Sequence, residues 1–93
     1  MTTATYSPEQ IRLEIKKMIA HVTEREVDEI GDTAHFMDEL GVDSLMAMEV
    51  MIAVDRKFGV DIPEEQFNQA HNVSESAALV EHWMGVRSSA ATA

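Results

Sequence analysis

Apolar residues in this chain recur every three or four positions in three stretches, and no stretch alternates as a half-buried strand does. Such a pattern restricts the fold to helices packed on helices. The first stretch opens on Ser7-Pro8-Glu9-Gln10. Ser7 can cap, Pro8 suits the first helical position and Gln10 completes a capping box. Ile11, Ile15, Met18, Ile19 and Val22 then form one face, and the helix is predicted to run to about Val22. A second helix begins at Asp43 or Ser44, both good capping residues, and ends near Phe58 with Gly59 as its stop. Its apolar residues fall in two neighbouring stripes, Leu45, Met48 and Ile52 in one, and Ala47, Met51, Val54 and Phe58 in the other. Val60 and Ile62 read as a brief extended link, and Pro63 opens a short third helix over residues 64–68. The last helix is expected to be capped by Ser74, to bury Leu79, Val80, Trp83 and Met84, and to stop at Gly85. The fold class is therefore all-α, a four-helix bundle of three longer helices and one short one.

Residues 23–43 form a long connection with isolated apolar anchors at Val27, Ile30, Phe36, Met37 and Leu40. A structureless loop of this length is unusual in a small domain, so the anchors are expected to pin it across the bundle, with a short helical turn over 36–40. The expected organisation is a flexible tail at 1–7, one domain at 8–85 and a flexible tail at 86–93, where the composition turns small and low in complexity.

Seventeen acidic residues against seven basic ones give a formal charge of −10. This argues against nucleic acid, whose backbone requires cationic side chains, and against an anionic membrane surface. It favours basic protein partners; the competing reading is that acidity serves solubility alone. The chain has no cysteine, hence no disulfide, no cysteine zinc site and no thiol nucleophile. Without a signal-peptide pattern or an apolar run long enough to span a bilayer, the expected setting is the cytoplasm. The expected state is a monomer.

The most informative stretch is Asp38-Glu39-Leu40-Gly41-Val42-Asp43-Ser44-Leu45-Met46-Ala47-Met48-Glu49-Val50. It sets a serine at the opening of a helix just after a glycine-containing turn. Helix N-termini present free N–H groups and the positive end of the macrodipole, so a phosphodiester attached there is favoured by roughly 0.3–1 kcal/mol. The plain alternative for Ser44 is an ordinary helix-capping serine.

Leu40-Gly41-Val42-Asp43-Ser44-Leu45 resembles the L-G-x-D-S-L signature of acyl carrier proteins of fatty-acid and polyketide synthesis. Downstream, Phe58-Gly59-Val60-Asp61-Ile62-Pro63 is similar to the family's F-G-[IV]-x-I-P segment, and Val27, Ile30 and Phe36 stand where the family places its loop anchors. The resemblance spans about residues 11–84. It implies that a phosphopantetheinyl transferase moves 4′-phosphopantetheine from coenzyme A onto Ser44, and that the arm's thiol carries acyl groups as thioesters. It implies a carrier that serves ketosynthases, acyltransferases and related synthase enzymes, not an enzyme with catalytic residues of its own. Asp43 would position the transferase or its metal ion, or simply cap the second helix. The resemblance also implies a partner-recognition surface on that helix, with Leu45, Met46, Glu49 and Asp55 as contacts, extended by Glu39, Asp43, Glu64 and Glu65. Asp43 matches acyl carriers, whereas peptidyl carriers usually have histidine there. Arg56 and Lys57 depart from the acidic helix end of typical fatty-acid carriers, and the run from Leu45 to Val50 looks closer to polyketide carriers. A short chain beginning with Met1 points to a free-standing protein, with a domain of a larger synthase as the alternative.

Seven methionines are many for this length, and Met37, Met46, Met48 and Met51 cluster near the signature. They read either as an adaptable lining that shelters an acyl chain or as core filling. Core filling is preferred for Met48 and Met51, while Met46, off both stripes, is the candidate exposed contact. His21, His35, His71 and His82 sit in no recognisable motif, and the chain lacks a nucleophile elbow, a zinc-binding spacing, a phosphate-binding glycine loop and a calcium-loop pattern. The competing function from another class is a non-covalent helical adaptor that binds partner helices or lipid.

Overall fold

The computed structural model describes the backbone of residues 6–92 and the side chains of residues 6–85. Its first helix, α1 (Pro8–Thr23), starts where the capping box closes: Ser7 Oγ accepts from the Gln10 N–H at 3.1 Å, and Gln10 Oε1 accepts from the Ser7 N–H at 2.8 Å. It buries Ile11, Ile15, Ile19 and Ala20, with Met18 and Val22 packed beside them, as the spacing predicts. Tyr6, expected in the loose N-terminal tail, instead sets its ring edge-on against Phe58, with centroids 4.9 Å apart. An aromatic edge-to-face contact on a core ring offsets the freedom the tail gives up. The rest of that expected tail, residues 1–5, lies outside the described residues.

The second helix, α2 (Ser44–Phe58), has Asp43 as its N-cap and Gly59 at φ 66° as its left-handed C-cap. A side chain at φ 66° would be strained, which is why glycine ends this helix. Val50, Val54 and Phe58 enter the core, with Ala47 and Met51 alongside. After Pro63 comes α3 (Glu64–Phe67), one turn that buries Phe67. The Trp83 indole N–H donates to Gln66 Oε1 at 3.0 Å and ties α3 to the last helix.

That last helix, α4 (Val73–Thr92), is capped by Asn72 and not by Ser74: Asn72 Oδ1 accepts from the Glu75 N–H at 2.8 Å. Asparagine caps as well as serine, and placing it two residues earlier puts Val73 fully inside. Val80 is buried as expected. Leu79, Trp83 and Met84 are only half-buried, while Val73, Ser76 and Ala77 fill the inner face. The helix also passes the expected stop at Gly85 and runs to Thr92, so the stretch expected as a C-terminal tail has helical backbone; Ala93 lies outside the described residues. A glycine inside a helix costs about 1 kcal/mol relative to alanine, which weakens a helix without ending it.

In the bundle α1 packs on both α4 and α2. Ile15, Val54, Val73 and Val80 are fully buried at its centre. The described residues hold four α-helices and no strand, in agreement with the all-α reading. None of these helices is long and apolar enough to cross a membrane.

The connection between α1 and α2 is pinned as its anchors predict, with Ile30, Phe36 and Leu40 buried and Val27 packed beside them; Val42, not among the predicted anchors, is buried as well. Met37 departs from that prediction and is exposed. A single 3₁₀ turn over Val27–Glu29, which the spacing does not reveal, helps fold the loop back. Residues 36–40 make a hydrogen-bonded turn in which the Glu39 and Leu40 N–H groups both reach the His35 carbonyl. Arg12 and Lys16 form ion pairs with Asp32, whose carbonyl accepts from the Ser74 N–H at 3.0 Å. The Phe36 N–H donates to the His71 carbonyl at 2.8 Å. Ion pairs and backbone bonds thus fasten the loop to α1 and to the start of α4, and this sets the approach of the chain to α2.

Candidate functional site

The turn into α2 determines where Ser44 stands. Gly41 takes φ 71°, a left-handed conformation, and the Val42 N–H donates to the Phe36 carbonyl at 2.9 Å. Asp43 follows in extended geometry, with its carboxylate accepting from the Met46 N–H at 2.8 Å. Capping is therefore a role Asp43 performs, with a contribution of about 1 kcal/mol. Ser44 is the first helical residue and is exposed. First-turn N–H groups have no partner inside their own helix, so the Ser44 and Leu45 amides lie at the end of α2 where its dipole is positive.

Ser44 also lies on the rim of a cleft of about 280 Å³ between the loop, α2 and α3. Phe36, Val42, Val50 and Phe67 are its buried apolar wall. Met37, Met48, His35, His71, Glu64 and Asn68 surround its mouth.

The other predicted site residues fall into three groups. Leu45 is 70% exposed, and with Met48 (45%) and Ile52 (47%) it forms an open apolar stripe along α2. Glu49 is exposed next to that stripe. Met46, expected as an exposed contact, is half-buried and packs on the core. It lies four and eight residues before Val50 and Val54, on the innermost row of the helix. Met48 is corrected the other way: expected as core filling, it is exposed on the cleft rim, whereas Met51 does pack on the core. Asp55 is half-buried and accepts from the Ile62 N–H at 3.3 Å, bracing the link between α2 and α3. Burial raises its pKa above the ordinary 3.8; the Ile62 N–H opposes the shift and the neighbouring Asp61 charge adds to it.

The histidines His35 and His71 belong to the site although no sequence motif marks them. Their rings stack at 5.2 Å, only 12° from parallel, on the cleft rim. They come from segments far apart in the chain, so only the folded arrangement reveals the pair. Among the described residues, no group of three or more His, Asp or Glu side chains is placed to hold a metal ion.

Ser44 is thus an exposed serine at the start of a helix in an all-helical bundle, beside an apolar cleft. A family model described as "Phosphopantetheine attachment site" matches residues 14–80, most of the chain. The chain is 33% identical to an acyl carrier protein of Rickettsia bellii over 67 residues, 72% of this chain and 78% of that one. It is 31% identical over 84 residues to polyketide-8 synthase acyl carrier protein 2 of Streptomyces avermitilis, covering 90% of this chain and 92% of the relative. An acyl carrier protein of Zymomonas mobilis is 31% identical over 67 residues, 72% of this chain and 86% of its own. The chain belongs to the phosphopantetheine-binding acyl carrier protein family. Members of this family are carriers and not catalysts, hold 4′-phosphopantetheine covalently, and work with phosphopantetheinyl transferases and synthase enzymes. The residues here fit such a group. The chain presents an exposed hydroxyl beside first-turn amides, and the one adjacent carboxylate, Asp43, is engaged by the Met46 N–H.

Proposed function

We propose that Ser44 is the attachment point of 4′-phosphopantetheine and that the protein carries biosynthetic intermediates as thioesters. The observation that carries this reading is the exposure of Ser44 at the first position of α2, inside Leu40-Gly41-Val42-Asp43-Ser44-Leu45. In the loading step the Ser44 oxygen bonds to the phosphorus of coenzyme A's pantetheine phosphate. The bond from that phosphorus to the nucleotide breaks, adenosine bisphosphate departs, and the serine proton passes to a base of the transferase. The bound group supplies the reactive thiol that this cysteine-free chain lacks.

The partners are a phosphopantetheinyl transferase and, after loading, ketosynthases, acyltransferases and related enzymes. The stripe of Leu45, Met48 and Ile52 with Glu49 beside it is their landing surface, and the net charge of −10 draws basic partners to it. Two features support polyketide-type rather than primary fatty-acid synthesis. Arg56 and Lys57 give the last turn of α2 a basic end, and the likeness to the Streptomyces polyketide carrier extends over nearly the whole chain. The same reading places the protein in the cytoplasm as a monomer. The cleft beside Ser44 receives the end of a short acyl chain.

Intact mass after incubation with coenzyme A and a broad-specificity transferase tests the assignment. The expected result is a gain of one phosphopantetheine that Ser44→Ala abolishes. An unchanged mass, under conditions that load a control carrier, would favour the non-covalent adaptor and sink the proposal.

A further inference from the structure

The open side of α2 carries its charges in a fixed order. At about 100° per residue, Leu45, Glu49, Ile52 and Arg56 fall within about 60° of arc, with the core residue Val54 on the opposite side. All four are exposed. The row therefore reads apolar, acid, apolar, base as it leaves Ser44.

The bundle neutralises neither charge in this row. Arg12 and Lys16 pair with Asp32, and Lys17 and Lys57 pair with Glu14. Among the described residues Glu49 and Arg56 form no ion pair. The local sequence explains this. The positions three and four residues from Arg56 are Ile52, Ala53, Gly59 and Val60, so no helix neighbour offers it a carboxylate. The adjacent Asp55 is turned to the Ile62 N–H. Around Glu49 the same spacings hold Leu45, Met46, Ile52 and Ala53, with no cation among them. The two charges are separated from each other by seven residues, about 10 Å along the axis. Lys57 lies about 100° round the helix from Arg56, and there Glu14 engages it at 3.7 Å.

A partner that covers this face takes both charges out of water. A charge covered without a counter-ion is costly, and a like charge set against it costs more. We propose that Arg56 selects partners whose docking face carries an acidic group about 18 Å from the point where the Ser44-bound arm enters, beyond a basic group about 8 Å from it that meets Glu49. The proposal rests on the reading that this face of α2 is the landing surface. A partner with a uniformly basic face is drawn by the net charge of −10 but meets Arg56 as a like charge. One residue thus supplies the repulsive element that sorts partners.

A ketosynthase with a uniformly basic docking face tests this, beside a version of the same enzyme in which the base about 18 Å from its active-site entrance is replaced by glutamate. The readout is kcat/KM for acyl transfer from the chain loaded at Ser44. The protein is expected to favour the altered enzyme about tenfold, and Arg56→Glu to favour the parent enzyme by a similar factor. Arg56→Gln is expected to abolish the preference, and it decides the matter if Arg56→Glu fails to fold. Lys57→Gln is expected to retain the preference. A preference unchanged by either substitution of Arg56 overturns the proposal, and so does one that Lys57→Gln removes. Leu45→Asp distinguishes this failure from that of the landing surface. If it slows transfer to both enzymes while the Arg56 variants behave as the parent, the surface stands and the role of Arg56 falls. If Leu45→Asp, Glu49→Gln and Arg56→Glu all transfer at the parent's rate, both fall.

Discussion

Asp55 shows how one carboxylate on α2 serves the fold at a cost. Its native pKa lies above 3.8 chiefly because the group is partly out of water. Between 3.8 and the raised value the folded state binds more protons than the unfolded state. Stability contributed by this group therefore falls as pH rises through that window, and at neutral pH the ionised form is a net burden. Asp55→Asn keeps an oxygen for the Ile62 N–H and removes the charge. The variant is expected to be more stable than the parent at neutral pH, with a flatter dependence as pH rises from 3.8; urea melts from there to neutral pH measure both. A variant less stable at neutral pH would show that the ionised carboxylate is worth more to the Ile62 amide than its burial costs. With Asp55 turned toward that amide, Glu49 is the more open of the two carboxylates proposed as contacts on α2.

At the scale of elements, α2 separates support from recognition by rotation about one axis. Val50, Val54 and Phe58 hold the bundle, while Leu45, Met48 and Ile52 meet solvent. A charge on the open side tests this division. Leu45→Asp is expected to leave stability within about 0.5 kcal/mol of the parent, and to lower the transferase's kcat/KM about tenfold, equivalent to 1.4 kcal/mol. A thermal melt and a loading assay read the two effects, and unimpaired loading would place the landing surface elsewhere. The same helix shows what a reader of the sequence can and cannot obtain. Its start at Asp43 and its end at Gly59 were legible because a cap is a matter of a few adjacent residues. The capping box at Ser7 and the breadth of the apolar face of α1 were legible for the same reason. The two apolar stripes of α2 were visible too, but which of them points inward depends on where α1 and α4 lie. That is why Met48 lies outside the core, while Met46, in neither stripe, is drawn inward on the row it shares with Val50 and Val54. Asn72 was overlooked as a cap because Ser74 stands close by with similar chemistry. The pairing of His35 with His71 is non-local throughout, and Ser44 was legible only because a motif surrounds it.

Across the whole molecule, the charge of −10 acts on two properties in opposite directions. Like charges crowded onto a small bundle repel, and salt screens them over about 10 Å at 0.1 M. The melting temperature is expected to rise as sodium chloride is raised from low to physiological concentration, while association with a basic partner slows. Calorimetry and stopped-flow binding on the same samples measure the pair; a melting temperature that falls with salt would show that the ion pairs at Asp32 and Glu14 outweigh the general repulsion. The backbone bond from Phe36 to His71 has a consequence of a different kind. It spans the seam between the loop and the link from α3 to α4, from a buried residue on the cleft wall to a residue at its mouth. Deuterium uptake at that one amide is thus a built-in clock for the parting of the two segments, readable in the native protein with no dye and no altered side chain.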